Sequence, residues 1–353
     1  MNTIKVELGP RSYDIVIGSG ALNEIKKSNG KRTLLVTDSN VKKLHARSVL
    51  NALETEEIFS FPAGESSKSP ETALSICRHA ARLNFDRKCR FAATGGGVTG
   101  DLTGFAAAIY MRGIEFIQIP TTLLAAVDSS VGGKTGADIP EGKNLVGAFH
   151  QPSAVFIDTD LLMTLPEAEL GNGLAEIVKT AVILDPELFT KLEKNPAGLL
   201  TANAFQTRYP EIITRCCELK GMIVSEDEKE SGRRAILNYG HTFGHAVELL
   251  SNYTLPHGQA VAIGMAAAGT LAVKLGVWQK SDLERQNRLL SLLDLPVRLA
   301  AKYHTCDLVA AMRRDKKNQN GVAKIVLCSA IGSALLPVEA DEKDLTAAWE
   351  DIR

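Results

Sequence analysis

Hydrophobic residues in the first half of the chain recur with the period of β-strands, and segments with helical period separate them. Residues 3–18 hold two alternating runs around a turn-like cluster at 9–12, which predicts a hairpin. Further strands are predicted at 32–37, 57–61, 89–94, 115–120 and 154–157, and helices near 21, after 38–40 and at 70–83. This alternation predicts a mostly parallel, Rossmann-like sheet covered on both faces, with ligands beyond the carboxyl ends of its strands.

From residue 166 onward the apolar residues recur at helical spacing. Helices are predicted at 167–184, 186–194, 209–228, 241–251, 259–275, 282–293 and 305–313. Two strand-like segments, 323–329 and 333–337, precede a terminal helix at 341–352. With 353 residues the chain is long enough for two domains. We predict an α/β nucleotide-binding domain at 1–158 and a mainly α-helical domain at 159–353, with the active site between them.

A glycine-rich segment follows the predicted strand at 89–94. Gly95, Gly97 and Gly100 satisfy the spacing G-x-G-x-x-G, and a helical segment comes next. Glycine lets the backbone approach a pyrophosphate closely, and a helix start offers free N–H groups to it. The next predicted strand ends in a proline and two threonines, where the standard Rossmann fingerprint has an acidic residue. We therefore predict a dinucleotide-binding loop that departs from that fingerprint.

Three of the seven histidines lie close together in the second half of the chain. His241 and His245 share one helix face, and His257 follows a predicted turn that can fold it back against that face. Glu176 lies in an apolar helical segment, where a buried charge needs a partner or a metal. Glu176 with two of the three histidines would form a zinc-type site with one open position. The spacing leaves open which two histidines bind, and the alternative is a helix with two polar residues plus an unrelated loop histidine.

Basic residues accompany these motifs although the chain as a whole is nearly neutral. They are Arg112, Lys134, Lys143, Lys179, Lys220, Arg234 and the two lysines of the Asp315-Lys316-Lys317 run. Single basic residues are usually solvated, but several beside glycine-, asparagine- and histidine-rich segments indicate a substrate with phosphate and carboxylate groups. The formal net charge of -1 argues against a nucleic-acid or membrane-surface partner.

Cysteine usage and the start of the chain indicate a cytoplasmic protein. The six cysteines are scattered and form no C-x-x-C pair, which does not suggest a disulfide framework. The first residues alternate like a strand without the apolar core of a signal peptide. No apolar run approaches the length that a membrane span needs.

Six motifs in a fixed order carry a family resemblance. They read Gly-Gly-Gly-Val-Thr-Gly-Asp from residue 95, Pro-Thr-Thr-Leu-Leu from 120, Val-Asp-Ser-Ser-Val-Gly-Gly-Lys-Thr from 127, Gly-Lys-Asn-Leu-Val-Gly from 142, Gly-Leu-Ala-Glu-Ile-Val-Lys from 173 and Leu-Asn-Tyr-Gly-His-Thr-Phe-Gly-His-Ala from 237. With the later His-Gly pair, this succession resembles the 3-dehydroquinate synthases of the sugar-phosphate cyclase superfamily. The resemblance runs from about residue 10 to residue 317.

The resemblance implies a lyase of the shikimate pathway, which leads to chorismate and the aromatic amino acids. Such an enzyme converts 3-deoxy-D-arabino-heptulosonate 7-phosphate to 3-dehydroquinate and phosphate. The steps are a transient oxidation by bound NAD⁺, phosphate elimination, re-reduction, ring opening and aldol closure. The family uses a Zn²⁺ or Co²⁺ ion and forms a homodimer.

The resemblance also implies roles for individual residues. Glu176, His241 and His257 would be the metal ligands and His245 a proton relay. The other catalytic residues would be Asp128, Lys179, Lys220 and Asn238. Substrate would meet Arg112 (from across the dimer), Lys134, Asn144, Arg234 and one of Lys316 and Lys317. The NAD site would comprise Asp38, Asn40, Glu65, Lys68, Gly97, Val98, Thr99, Gly100, Asp101, Thr121, Thr122, Lys134, Lys143 and Thr164.

Two residues depart from the family pattern, and three rival functions stay open. Gln259 stands where many members have glutamate, and Asp138 where asparagine is frequent, so substrate affinity is in question at both. The rivals are another sugar-phosphate cyclase, a metal-dependent polyol dehydrogenase that releases NADH, and a metal-binding protein without enzymatic activity. The basic residues argue against a neutral polyol, and the nucleotide-type loop argues against a protein that only binds metal.

Overall fold

A computed structural model describes residues 1–28, 30–201, 203–313 and 323–353. The strands are β1 (Asn2–Val6), β2 (Tyr13–Gly18), β3 (Thr33–Asp38), β4 (Ile58–Phe61), β5 (Arg90–Gly95), β6 (Glu115–Pro120), β7 (Lys134–Ile139), β8 (Gly142–Phe149), β9 (Ala154–Asp158), β10 (Ala323–Ile325), β11 (Cys328–Ala330), β12 (Ser333–Ala334) and β13 (Val338–Ala340). The α-helices are α1 (Ser39–Leu53), α2 (Pro70–Arg82), α3 (Gly97–Ile109), α4 (Glu167–Leu184), α5 (Pro186–Lys194), α6 (Ala204–Thr207), α7 (Tyr209–Glu226), α8 (His241–Leu250), α9 (His257–Lys274), α10 (Lys280–Leu292), α11 (Thr305–Arg313) and α12 (Glu342–Asp351).

Short helices of other types connect these elements. The 3₁₀ segments are Gly9–Arg11, Ala21–Ser28, Glu65–Ser67, Tyr110–Arg112, Leu161–Thr164, Ala197–Leu199 and Arg233–Asn238. Residues Ala125–Ser129 form one turn of π-helix.

The chain forms two compact units. The first comprises Met1–Pro166 and Phe205–Ser225, and the second comprises Glu167–Ala204 and Glu226–Arg353. The first unit therefore contains most of α7. The functional roles predicted for residues 1–158 and 159–353 stay predictions.

The first unit is built on a seven-stranded sheet with the order β1-β2-β9-β6-β5-β3-β4. Strand β1 is antiparallel to β2, and the other neighbours are parallel. The chain leaves β3 toward β4 but leaves β5 toward β6, so the strand order reverses between β3 and β5. Ligands of open parallel sheets bind beyond the carboxyl ends of the strands at such a reversal.

Both faces of this sheet are buried, because alternate residues of each strand enter different hydrophobic clusters. Leu34, Phe91 and Phe116 join a cluster that includes residues of α2 and α3. Leu35 and Ile117 join a second cluster that includes residues of α1. A sheet buried on both faces needs nearly continuous apolar strands, which is the pattern in the sequence.

The second unit is helical and is organised around α9. Most residues of α9 are buried on every side of the helix, as expected for a central helix. Helices α4, α8, α10 and α12 all contact it. The Phe243 and Trp349 rings add an edge-to-face contact, with centroids 5.1 Å apart.

The structure confirms the N-terminal hairpin, the parallel sheet and the helical second half of the chain. Three local predictions need correction. Helix α9 begins at residue 257 instead of 259, because Pro256 is its N-cap. Residues 323–340 form two separate two-stranded sheets, β10 with β13 and β11 with β12, where one pair of strands was predicted. Strands β7 and β8 form a hairpin that the sequence indicated only as a polar surface.

Candidate active site

A cluster of one glutamate and two histidines lies in the second unit, with one residue from each of three helices. Glu176 is on α4, His241 is the first residue of α8, and His257 is the first residue of α9. Glu176 Oε1 lies 3.6 Å from His241 Nε2 and 3.5 Å from His257 Nε2. Suitable ligand atoms of the three residues all lie within 4.8 Å of one another.

These residues fit a tetrahedral divalent cation. Ligand atoms around zinc, at about 2.0–2.1 Å from the ion, lie roughly 3.3 Å apart. Glu176 Oε1 is buried and has no hydrogen-bond partner among the described residues. The Nδ1 atoms of both histidines have other acceptors, the Tyr239 carbonyl at 3.2 Å and Glu248 Oε1 at 3.0 Å. The Nε2 lone pairs are thus available to a metal, with Glu176 as the third ligand.

The charges around this cluster hold Glu176 ionised. Burial acts to raise the pKa of Glu176, but the Lys179 ammonium and His257 outweigh it and lower the pKa to about 2. Lys179 is itself buried and forms an ion pair with Glu176 Oε2. Burial acts to lower the pKa of His257, but the nearby carboxylates of Glu176 and Glu248 outweigh it and raise the pKa to about 10.

His245 lies one turn along α8 from His241. The rings of the two histidines meet edge-on, with centroids 5.5 Å apart. His245 is half-buried, whereas its neighbours Gly244 and Ala246 are buried. It therefore borders the cluster without being one of the three residues that converge.

A structured loop before α8 carries Arg234 and Asn238. Asp227 accepts hydrogen bonds from the backbone N–H groups of Ser231, Gly232 and Arg234 at 3.0, 2.7 and 3.0 Å. Asn238 Nδ2 donates to Glu230 Oε1 at 2.6 Å. Although burial acts to raise it, these backbone bonds lower the pKa of Asp227. The loop is held by an ionised carboxylate.

The glycine-rich segment lies at the reversal in strand order of the first unit. Gly95 ends β5, and α3 begins at Gly97 with no side-chain cap and no acidic residue in its first turn. Asp38 ends the neighbouring strand β3, caps α1 through Asn40 N–H, and accepts a long hydrogen bond of 3.5 Å from Thr99 Oγ1. Uncapped N–H groups at the start of a helix suit a pyrophosphate, so this corner fits a dinucleotide.

Lys68 joins several of the predicted cofactor and substrate residues. Its ammonium lies 2.7 Å from Asp101 Oδ2 and donates to Asn144 Oδ1 at 2.6 Å. Burial acts to lower the pKa of Lys68, but Asp101 and two further acids outweigh it and raise the pKa. Nearby, Lys143 pairs with Glu65 at 3.1 Å.

A β-bulge in the β7–β8 hairpin presents Lys143 and Asn144. Ala137 pairs with Val146 and Ile139 with Gly142, so Asp138 faces three residues on β8. Asn144 has a left-handed backbone with φ of 53°, and its N–H donates to Asp138 Oδ1 at 2.7 Å. Bulges change the direction of side chains next to functional sites. The hydrogen bond from Asn144 N–H to Asp138 stabilises this bulge.

The π-helical turn carries Asp128, and α7 holds that turn in place. Lys220 Nζ donates to the Asp128 carbonyl at 2.7 Å and pairs with its carboxylate. Cys217 Sγ donates to the Ala126 carbonyl at 3.3 Å. Single π-helical turns occur frequently at functional sites. Two residues predicted to be catalytic are therefore in direct contact, from segments 92 positions apart.

The remaining predicted residues are spread over several segments, and two of them lie outside the described residues. Thr164 Oγ1 contacts His45 Nε2 at 2.8 Å, and Thr122 Oγ1 accepts from Ala125 N–H at 3.1 Å. Thr121 donates its N–H to the Gly95 carbonyl at 2.9 Å. Arg112 and Lys134 are exposed. Lys316 and Lys317 fall outside the described residues.

Sequence reasoning missed three carboxylates that support these sites. Glu248 lies seven residues after His241 on the same helix, a spacing that could have indicated a shared face. Glu230 and Asp227 lie in an irregular loop, where no periodic signal exists. Their roles depend on contacts that only the folded loop creates.

Solved structures with the same architecture define the class of the protein. One is 2-deoxy-scyllo-inosose synthase complexed with carbaglucose-6-phosphate, NAD⁺ and Co²⁺, with a TM-score of 0.90, 26% identity, and 100% of both chains covered. Another is 2-epi-5-epi-valiolone synthase from Streptomyces hygroscopicus subsp. jinggangensis with NAD⁺ and Zn²⁺ bound, with a TM-score of 0.88, 30% identity, and 100% of this chain and 98% of that one covered. The fold is that of the dehydroquinate synthase-like cyclases.

Sequence comparison identifies the family within this class. Residues 58–172 match the 3-dehydroquinate synthase N-terminal model, and residues 173–318 match the C-terminal model. The 3-dehydroquinate synthase of Desulforamulus reducens is 46% identical, with 98% of this chain and 99% of that protein covered. The chain belongs to the 3-dehydroquinate synthase family.

Two further observations concern the molecule as a whole. In the part of the chain that the structure describes, the helices are too short or too polar to cross a membrane. All six cysteines are free thiols.

Proposed function

We propose that the protein is a 3-dehydroquinate synthase of the shikimate pathway. It converts 3-deoxy-D-arabino-heptulosonate 7-phosphate to 3-dehydroquinate and phosphate. The single observation that carries the proposal is the convergence of Glu176, His241 and His257, in a member of this family, at distances that suit a divalent cation. The family relationship supports the choice of substrate.

Glu176, His241 and His257 would hold a Zn²⁺ or Co²⁺ ion, and the first unit would hold NAD⁺. When bound, NAD⁺ accepts and later returns a hydride, and the cation polarises substrate hydroxyls. Lys179 keeps Glu176 ionised by its ion pair in the buried cluster. His245 borders the cluster, where it would move a proton to or from the substrate.

The predicted NAD residues would each contact a different part of the cofactor. The N–H groups at the start of α3, from Gly97 to Thr99, would bind the pyrophosphate. Asp38, at the end of β3, would accept from ribose hydroxyls. Lys143 and the Lys68–Asp101 ion pair would also contact NAD⁺. Asp128 and Lys220 would lie beside the reacting carbon of the substrate. The nearby Asn40, Glu65, Thr121, Thr122 and Thr164 would complete the pocket.

The basic residues would bind the anionic ends of the substrate. Arg234 and Asn238, held by the loop that Asp227 closes, would contact the carboxylate and hydroxyl groups. Lys134, Asn144 and Arg112 would contact the phosphate and ring, with one of Lys316 and Lys317. Fixed cations of this kind stabilise the charge that builds up on the leaving phosphate.

We also propose roles for the two predicted domains, a dimeric assembly and a cellular location. Residues 1–158 would bind NAD⁺, and residues 159–353 would bind metal and substrate. We propose a homodimer in which Arg112 acts on the partner's substrate, supported by the family resemblance and by the exposure of Arg112. A cytoplasmic location is supported by the six free thiols.

The first test is phosphate release from 3-deoxy-D-arabino-heptulosonate 7-phosphate with NAD⁺ and Zn²⁺ or Co²⁺, before and after EDTA. Glucose 6-phosphate and sedoheptulose 7-phosphate serve as substrates without the carboxylate. We expect release from the carboxylate-bearing sugar alone, lost with EDTA and without net formation of NADH.

A second candidate is a sister cyclase, because the solved structures that resemble this chain include a 2-deoxy-scyllo-inosose synthase and a 2-epi-5-epi-valiolone synthase. Release from glucose 6-phosphate or sedoheptulose 7-phosphate alone would establish that candidate and remove the role of Arg234. Net NADH formation without phosphate release would favour a dehydrogenase.

A further inference from the structure

The two histidines of the metal cluster differ in the hydrogen-bond partner of Nδ1, the ring nitrogen that faces away from Glu176. His241 Nδ1 contacts the backbone carbonyl of Tyr239, at 3.2 Å. His257 Nδ1 contacts a side chain, Glu248 Oε1, at 3.0 Å. A carboxylate beside a ligating histidine fixes its orientation and raises its basicity. Only the second of these contacts can be removed by a substitution.

The contact with Glu248 determines which nitrogen of His257 is available. Because the carboxylate accepts at Nδ1, the hydrogen of the neutral ring belongs on Nδ1 and the lone pair on Nε2. That Nε2 atom is the one that lies 3.5 Å from Glu176 Oε1. The ring therefore links two carboxylates, one buried in α4 and one on α8.

The backbone at His257 is held independently of its ring. Asn172 Oδ1 on α4 accepts from Gly258 N–H at 2.7 Å. A Cβ on Gly258 would lie 2.5 Å from the Asn172 Cα, so the start of α9 is packed directly against α4. With the backbone held by α4, the rotation of the imidazole depends on Glu248.

Glu248 itself is placed by the helix that carries the other histidine ligand. It is buried on α8, two turns after His241. A buried carboxylate must have a compensating partner, and His257 supplies one. Helix α8 thus provides a ligand at its first residue and the support for a second ligand near its end.

We propose that Glu248 is a positioning residue that orients His257 and so sets the metal affinity of the site. The inference rests on the proposed metal site. It adds a residue to that site that neither the motifs nor their spacing had assigned a role.

The test is Zn²⁺ affinity, measured by chelator competition on full-length protein, for the wild type, Glu248→Ala, Glu248→Gln and Glu176→Ala. Loss of an outer partner typically lowers metal affinity by 10–100-fold, so we expect that change for Glu248→Ala. Glu248→Gln retains an oxygen that can accept from Nδ1 and should lose less than Glu248→Ala. Visible absorption of bound Co²⁺, which reports coordination geometry, should change in Glu248→Ala.

A matched control separates this role from general support of the fold. Glu193→Ala removes another carboxylate of the second unit, which pairs with Arg285 at 2.6 Å, and should leave Zn²⁺ affinity and the Co²⁺ spectrum unchanged. If Glu248→Ala lowered the melting temperature but left Zn²⁺ affinity and the Co²⁺ spectrum unchanged, the role of Glu248 would be wrong and the metal site would stand. Absence of Zn²⁺ binding by the wild type would overturn the metal site and the inference together.

Discussion

At the scale of single residues, the site is a set of buried charges that compensate one another. Lys179 and Glu176 are 2% and 1% exposed, so neither could be buried without the other. Removing one partner of such a pair typically costs about 3–5 kcal/mol, because the remaining charge is left without compensation. The ion pair with Lys179 that compensates the buried charge of Glu176 therefore also keeps Glu176 ionised and able to bind a cation.

Asp138 is the departure from the family pattern for which the structure provides a physical role. Its carboxylate accepts from the N–H of Asn144, whose left-handed backbone it stabilises. Asp138→Ala removes a charge-assisted hydrogen bond that holds Asn144, so we expect the KM for the sugar phosphate to rise, by up to about tenfold. Asp138→Asn retains an acceptor oxygen and should raise KM by less.

Steady-state kinetics with both variants checks this prediction. Glu141→Ala, an exposed acid in the same hairpin, is the control and should not change KM. If Asp138→Ala matched the control, the bulge would hold Asn144 without the carboxylate.

At the scale of elements, the metal cluster depends on how closely α8 and α9 approach each other. A Cβ on Gly264 would lie 2.0 Å from the Gly240 carbonyl oxygen and 2.7 Å from Gly244 N. Both neighbours are backbone atoms, which cannot turn aside as a side chain can. We expect Gly264→Ala to lower the free energy of unfolding by about 2–4 kcal/mol and to weaken Zn²⁺ binding, because α8 carries His241 and α9 carries His257.

Gly171→Ala is the matched control for this helix packing. Gly171 is also helical, but its added methyl group would have an ordinary contact of 3.7 Å with Leu295. Urea unfolding should show no loss of stability, and helix propensity favours a gain of up to about 1 kcal/mol. Equal stability of the two variants would show that α8 and α9 separate at little cost.

Asp227 stabilises the loop before α8, and this stabilisation depends on pH. The pKa of this carboxyl is lowered from its ordinary value of 3.8, so folding favours its ionised form. Its contribution to stability is complete above about pH 4 and is lost as the pH falls through the lowered pKa. Asp227→Asn should therefore unfold at lower urea concentration than the wild type near pH 7, and the difference should narrow below pH 4.

Urea midpoints between pH 3 and pH 7 test this dependence. Asp307→Asn, at an exposed aspartate, should show little difference from the wild type across the range. A difference for Asp227→Asn that stayed constant down to pH 3 would contradict the assignment of charge to this loop.

At the scale of the whole molecule, the dimer proposed above can be tested by complementation. Arg112→Ala and Lys179→Ala should each be nearly inactive as pure dimers. If Arg112 serves the partner's site, a mixed dimer contains one site with both residues intact. After subunit exchange, about a quarter of the wild-type activity should return, because half of the dimers are mixed and each has one complete site.

The control mixture joins Lys179→Ala with His257→Ala, two changes within one unit of the chain. No mixed dimer then contains a complete site, so activity should not return. Equal recovery in both mixtures, or none in either, would remove Arg112 from the partner's site.

Much of the fold was predictable from the sequence because its signals are local. The bounds of α4, α5 and α11 match the predicted ranges at both ends, since a hydrophobic stripe and flanking turn residues specify them. The short strands after residue 323 were not predictable in the same way, because runs of two or three residues carry too little periodic signal.

By itself, the sequence determined the alternation of strands and helices and the order of the motifs, and its family resemblance predicted which residues form the candidate site. Spacing left open which histidines converge on Glu176; the resemblance predicted His241 and His257, and the tertiary structure brings those two together. Only the tertiary structure decided that Glu248 lies behind His257. It also decided that Lys68 contacts Asn144, 76 positions away. The physical reason is that period and composition depend on neighbours along the chain, whereas a ligand set depends on which side chains separate helices bring within a few ångströms.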